Sequence, residues 1–490
     1  MVSTEEIYMM NRMVSIHCLM MVVLAFFPVP AHGQTAESAA IGSRVELFVD
    51  PFLIDRLEGA EQRLHPPMDG ETVLAFDKPW EGRYCGYVTV IKDEDRYRLY
   101  YRGLPMAGKD GSAAEVTCYA ESQDGITFTK PNLGLFDVSG SRDNNVILAN
   151  LAPFSHNFAP FMDTRKDVPA DERFKALAGT RDTGLVAFVS ADGTTWKKVR
   201  DEPVITEGAF DSQNIAFWSE AEGLYVSYFR VFTDGIRTIS RTTSPDFRTW
   251  TAPIEMTYGD TPREHLYTNQ TAPYFRAPHI YVSIAARFMP GRRIVSEEQA
   301  KTLGGDVKYS GDCSDAIFMT TRGGNVYDRT FMEGYIRPGL GLNNWTSRTN
   351  YPTYGVVPAS DTEMSMYVQR NYGQDSHHLQ RLTLRTDGFV SINAPYEGGE
   401  LVTKPFTFAG GELVLNFATS AAGSIWIELQ NADGTPIEGF AQVACDEIVG
   451  DEIARVVTWK GSADVFSLAG KAVRLRAVMK DADLYSIQFR

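Results

Sequence analysis

The sequence is poor in cysteine, in basic charge and in long apolar runs. Its 490 residues hold five cysteines, too few for a disulfide scaffold and without metal-ligand spacing. Lys and Arg number 47 against 62 Asp and Glu, a net charge of −15 with a pI near 5.1. No basic run interrupts that balance, so the chain has no general hold on phosphate backbones, and nucleic acid is not an expected partner. No apolar stretch is long enough to span a bilayer. What remains is an ordinary globular composition, 43% hydrophobic and 22% charged with 41 Gly and 24 Pro, which excludes collagen, coiled coil and wholesale disorder. The length suits one large domain plus a smaller one.

The N-terminus reads as an export signal. Leu19 to Phe27 is a short apolar run broken by Pro28 and Pro30, and Ala31-His32-Gly33 follows with small residues where a signal peptidase reads. Arg12 supplies the positive start, and Met10 is an alternative first residue. The expectation is a signal peptide over 1–33 and a mature protein from Gln34, periplasmic or extracellular and free of the membrane after cleavage. Cys18 leaves with the signal. Of Cys85, Cys118, Cys313 and Cys445, the first two either pair or stay as buried thiols.

A recurring turn organises the middle of the chain. It reads Ser122-Gln-Asp124-Gly125-Ile-Thr-Phe128, then Ser190-Ala-Asp192-Gly193-Thr-Thr-Trp196, then Ser244-Pro-Asp246-Phe-Arg-Thr-Trp250. Weaker copies stand at Thr321–Tyr327 and Arg385–Phe389. Asp-Gly favours a tight hairpin, because Gly takes positive φ and the Asp carboxylate accepts N–H bonds across the turn. The following aromatic can pack between neighbouring sheets. Alternating strand-like runs precede each turn, among them Tyr97–Arg102, Phe174–Gly179, Leu224–Arg230, His279–Ile284 and Glu363–Val368. Only Val295–Leu303 reads as helix. Copies spaced 54 to 77 residues apart suit four-stranded propeller blades, and five copies imply five blades. The fold expected is all-β: a five-bladed β-propeller over 45–395, then a β-sandwich over 397–490 built from runs such as Glu412–Phe417, Ser424–Leu429, Val473–Val478 and Leu484–Phe489. Val45–Val49 is strand-like and is a candidate to close the ring beside the last blade.

A propeller followed by a sandwich resembles the invertase, levanase and arabinanase superfamily of glycoside hydrolases. More narrowly, Leu47-Phe-Val-Asp50, His156-Asn-Phe-Ala-Pro160, Phe210-Asp-Ser-Gln-Asn214, Glu264-His-Leu-Tyr267 and Glu333-Gly-Tyr-Ile-Arg-Pro338 resemble exported planctomycete-type proteins labelled glycosyl hydrolase family 32-like or 43-like. The Asn-Asp-Pro-Asn, Arg-Asp-Pro and Glu-Cys motifs of the best-known invertases are missing, so the resemblance does not reach a fructan substrate. It implies an exported enzyme hydrolysing a poly- or oligosaccharide. No cofactor is required on that reading, and a structural Ca²⁺ on the propeller axis is compatible with it.

Hydrolysis of a glycosidic bond usually takes two carboxyl groups, one protonated and one ionised. In a propeller they would sit where the innermost strands face the axis. Asp211, heading the run into Trp218, and Glu264, beside Arg263 and His265, are the first two candidates. Glu81, in Trp80-Glu-Gly, is the third, with Asp50 as its rival. Asp163, Asp315 and Glu333 are further acids for the funnel. His156, Asn157, Asn214, His265 and Tyr267 are candidates for binding sugar hydroxyls, and Trp345 with Arg348 for a stacking platform. Arg287, Arg292, Arg293, Arg337 and Arg348 suit an anionic sugar. Two alternatives remain open: a lyase using His156, His265 or Tyr267 with arginines on a uronate, and a glycan-binding propeller without catalysis.

Overall fold

The computed structural model describes residues 38–106, 108 and 111–490; the expected signal peptide lies outside the described residues. Five four-stranded sheets follow one another along the chain. Blade one is Gly86–Asp93, Arg96–Gly103, Val116–Ser122 and Val146–Leu148. Blade two is Ala159–Met162, Phe174–Ala178, Val186–Ser190 and Lys197–Lys198; blade three is Ile215–Ser219, Leu224–Thr233, Ile236–Ser244 and Ile254–Glu255. In blade four the innermost strand is split into Leu266–Thr268 and Ala272–Tyr274, both paired with Ala277–Met289, which pairs outward with Cys313–Thr321. Blade five is Val357–Pro358, Glu363–Arg370 and His378–Arg385, and its outer strand is Met68–Ala75 from the start of the chain. The protein is a five-bladed β-propeller. The inner strand of blade one also touches the segment leading into that of blade five, through Val90 N–H to the Tyr354 carbonyl at 2.8 Å.

All five recurring turns fall at the end of the third strand of their blade. In the first three, the Asp carboxylate accepts two backbone N–H bonds, at 2.7 and 2.8 Å, and the Ser hydroxyl donates to it at 2.7 to 3.0 Å. The aromatic that follows packs on the preceding blade: Phe128 on Tyr367, Trp196 on Tyr100, Tyr327 on Tyr228, Phe389 on Phe318. Blade three departs from this. Phe247 takes the place of the glycine, at φ 64°, and its ring instead meets Phe161 of blade two at 5.6 Å. Positive φ strains a bulky residue, and that contact compensates.

The ring closes differently from the expectation for Val45–Val49. Glu46–Leu47 pairs with Ser486–Ile487, and closure falls to Met68–Ala75 on His378–Arg385. The N-terminal boundary of the propeller moves accordingly. Ala39–Gly42, Ile54–Glu58 and Glu61–Leu64 join the C-terminal domain, pairing with Phe406–Phe408, Gly399–Thr403 and Val390–Asn393. That domain is a sandwich-like network of ten strands around Leu401, Phe406, Leu415, Ile427, Leu475 and Phe489. Its longest strands, Leu413–Asn431 and Val473–Phe489, pair along their length with irregularities between Asn416 and Phe417 and between Thr419 and Ser424. Glu46 ties it to blade four through His279 at 3.1 Å and Arg322 at 2.9 Å. The expected helix is present as Glu297–Thr302, capped by Ser296 with Gln299 in a reciprocal capping box. All four cysteines among the described residues are buried and free.

Candidate functional site

Each innermost strand begins on the same face of the propeller, and a repeated device holds the segment leading into it. The second strand of blades one, three, four and five carries an arginine at or near its end: Arg102, Arg230, Arg287 and Arg370. Arg102 donates to the Tyr84 carbonyl at 3.0 Å, Arg230 to the Asp211 carboxylate, Arg287 to Glu264 at 2.8 Å and Arg370 to the Asn350 side chain at 2.5 Å. Every partner lies a few residues before the inner strand of the same blade. Asp211 and Glu264 are therefore equivalent positions of the repeat.

At the centre of this face lies a narrow pocket lined by Tyr87, Arg102, Tyr267, Tyr309, Arg348, Tyr351, Gln369 and Tyr372. Two of its residues, Tyr87 at φ 52° and Arg348 at φ 61°, adopt left-handed backbone. Such strain in bulky residues collects at functional sites, where the surrounding structure enforces it. The Tyr87 hydroxyl donates to the Asp211 carbonyl at 3.1 Å, which sets Asp211 at the margin, and its side chain is 41% exposed. Behind Tyr87 lies His156, ring to ring at 5.4 Å. Its Nδ1 faces the buried Glu115 carboxylate at 2.9 Å, and its Nε2 has no partner. Burial pushes the Tyr351 and Tyr372 hydroxyls above their usual pKa, so both hold their protons at neutral pH.

A second depression of about 630 Å³ adjoins the pocket at blade four, lined by Glu264, Arg287, Arg292, Ser314, Asp315, Arg337 and Trp345. The Arg348 N–H reaches the Ser314 hydroxyl at 3.3 Å across the wall between the two. Here the expected Glu264, Asp315 and Trp345 come together. Arg287 binds both carboxylates, Asp315 at 2.6 Å and Glu264 at 2.8 Å, and Arg329 holds Glu264 at 2.7 Å. Burial works against the Glu264 charge, but hydrogen bonds from Arg329 and Arg287 outweigh it and keep the carboxyl below its usual pKa. Two arginines leave Glu264 ionised, so it is not suited to be the protonated member of a carboxyl pair.

Other expected residues lie elsewhere. Glu81 is 0% exposed, sealed by the Lys130 ammonium at 2.7 Å and the Tyr101 hydroxyl at 2.5 Å inside blade one; it has no path to a substrate. Asp163 is buried between blades two and three, paired with Lys175 at 2.9 Å and Tyr225 at 2.6 Å. Asn157 and Asn214 are buried, and both donate to the Phe210 and Ser212 carbonyls. They staple the loop into blade three rather than meet a sugar. Asp50 is bound by Arg322 beside the C-terminal domain, and Glu333 is exposed on the loop outside blade four. His265 accepts from the Arg237 backbone N–H at 3.3 Å, and burial followed by the Arg237 charge lowers its pKa. The axis below the pocket is filled by amides: Gln270 donates to Gln213 at 2.8 Å, and Gln213 to Thr89 at 3.0 Å. Among the described residues, no group of three or more His, Cys, Asp or Glu is placed to hold a metal ion.

With that geometry, the chain is similar to glycoside hydrolases of solved structure. One described as "Glycoside hydrolase" aligns with a TM-score of 0.44 and 12% identity over 65% of this chain and 92% of that one. An N-acetylgalactosamine deacetylase from F. plautii, in complex with blood group B trisaccharide, gives 0.41 and 12% over 67% and 96%. An α-L-arabinofuranosidase from Clostridium thermocellum gives 0.39 and 12% over 62% and 91%. No protein-family model and no curated protein matches the chain. At such values the solved structures carry nothing about the chemistry, which has to come from the site itself.

Several pocket residues escaped the sequence reading. Arg102 and Arg230 had a usable signal, the arginine towards the end of four of the five second strands. Glu115, Tyr309 and Tyr372 come from connecting segments and had none.

Proposed function

We propose that the protein is a carbohydrate-active enzyme that hydrolyses a glycosidic bond at the mouth of the axial pocket, with Asp211 as base or nucleophile. The observation that carries this reading is Asp211 itself, a partly exposed carboxylate at the pocket margin, fixed by Tyr87 at its carbonyl and Arg230 at its carboxylate. A carboxylate bound by arginine accepts a proton or attacks carbon; it does not donate. His156, fully buried behind Tyr87 and held by Glu115, supports the pocket wall rather than meeting a substrate. The tyrosine walls of the pocket offer flat faces for sugar stacking and hydroxyl donors for its oxygens.

The lyase reading is favoured by a separate observation: the described residues bring no second carboxylate into the pocket, while tyrosine and arginine dominate its lining. The two are separated by running the protein on a polysaccharide panel in ¹⁸O-water. Hydrolysis places one ¹⁸O at the anomeric carbon of each new reducing end; elimination leaves an unsaturated product without label. Tight binding with neither product assigns the fold to glycan recognition alone.

A further inference from the structure

Three guanidiniums surround the ring of Tyr267: Arg230 at 5.0 Å, Arg237 at 5.4 Å and Arg348 at 5.8 Å from its centroid. Of these, Arg230 has a carboxylate partner, Asp211. Among the described residues, neither Arg237 nor Arg348 is paired with an Asp or Glu. The Arg348 guanidinium reaches the Tyr267 hydroxyl, at 3.5 Å, and lies 4.9 Å from the Tyr309 ring. Burial, and then the neighbouring Arg230 charge, lowers the Arg237 pKa. Arg102 adds a fourth cation on the opposite wall, 4.7 Å from the Tyr87 ring.

Removing cations from water without anions to meet them is unfavourable, and more so the deeper the burial. The chain as a whole carries −15, yet among the described residues no carboxylate is brought to these two arginines. A strained backbone holds Arg348 in this place nonetheless. The pocket holds only about 30 Å³, and we infer that it takes the anionic group, a carboxylate or a sulfate ester, of a saccharide seated at its mouth, and that Arg348 is the residue that reads it. The inference rests on the carbohydrate reading of the pocket and names its substrate class. Arg348 offers a fork of N–H donors suited to such an oxyanion, and Arg237 adds charge from behind Tyr267.

The test is calorimetric titration of the full chain with glucuronic and galacturonic acids, with glucose 6-sulfate and galactose 6-sulfate, and with glucose and galactose. The charged sugars should bind at least about 10-fold tighter than their neutral parents, the scale of a charge-assisted hydrogen bond. The carboxylate and sulfate arms show which oxyanion fits. Arg348→Gln should erase the preference, and Arg348→Lys should retain part of it. If Arg348→Gln fails to fold, Arg237→Gln takes its place and should weaken the same preference. Equal affinity for charged and neutral sugars in the wild type overturns the inference, as does a folded Arg348→Gln that keeps the preference. Binding of the acids without turnover of any acidic polysaccharide removes the hydrolytic reading and leaves this one. Turnover of a neutral glycan without preference does the reverse.

Discussion

Arg230 and Arg287 occupy the same position in successive blades and grip the same position of the loop before the inner strand, Asp211 in one case and Glu264 in the other. The two acids differ in what else touches them. Glu264 is held by Arg329 as well and its side chain is 23% exposed, whereas Asp211 has the single arginine and is 41% exposed. That difference, rather than the repeat, separates the more accessible carboxylate from the more tightly anchored one. Glu264→Gln should therefore cost stability more than turnover. A thermal melt and a kinetic assay on one preparation read both, and a folded variant with turnover lowered about 10²-fold or more contradicts the assignment.

Acid should loosen the junction between the propeller and the C-terminal domain. Burial opposes the Glu46 charge, but the His279 hydrogen bond and the Arg322 charge bring its pKa from 4.5 down to about 2. A carboxyl depressed in the folded state stabilises above its unfolded pKa, and that stability is lost as pH falls through the folded value. The melting-temperature difference between wild type and Glu46→Gln should be constant above about pH 5 and shrink between about 4.5 and 2. A difference independent of pH rules this linkage out.

Blade two and blade three meet over a buried ion pair, Lys175 with Asp163, both side chains 0% exposed. Lys175→Met strands the carboxylate and should cost about 3–5 kcal/mol in denaturant unfolding. Lys175→Met with Asp163→Leu should recover part of that loss. A double variant less stable than the single would show that the pair is not coupled in this way.

Phe247 gives the ring an unusual contact. Phe247→Ala should cost about 3–5 kcal/mol through the cavity left against Phe161. Phe247→Gly should be no worse than Phe247→Ala, because glycine tolerates φ 64° without strain. Urea unfolding of both variants checks the order, and a glycine variant clearly less stable than alanine contradicts it.

The turns were legible because their signal is local: Ser, Asp, Gly and an aromatic at fixed offsets define one hydrogen-bonded loop. The count of blades followed from them. Ring closure was not legible, because Met68–Ala75 contains Asp69-Gly70, which reads as a turn although it lies within a strand. Val45–Val49 misled for the opposite reason. Val45, Leu47 and Val49 do pack against blades four and five, but the backbone there pairs with Ser486–Ile487 of the C-terminal domain. Asp211 and Glu264 stood out as candidates, yet sequence could not tell which would be fixed by a second arginine sixty-five residues further on. An asparagine looks alike whether it serves a sugar or a carbonyl, so Asn157 and Asn214 became distinguishable only through their burial.

The proposed hydrolysis turns on Asp211. Asp211→Asn keeps the shape and the Tyr87 contact to the backbone while removing the carboxylate. On a polysaccharide that the wild type cleaves with uptake of ¹⁸O from water, the variant should melt within a few degrees of wild type, bind substrate, and turn over at least about 10²-fold more slowly. A folded Asp211→Asn protein with near-normal turnover would mean that Asp211 is only an anchor for the Arg230 clamp.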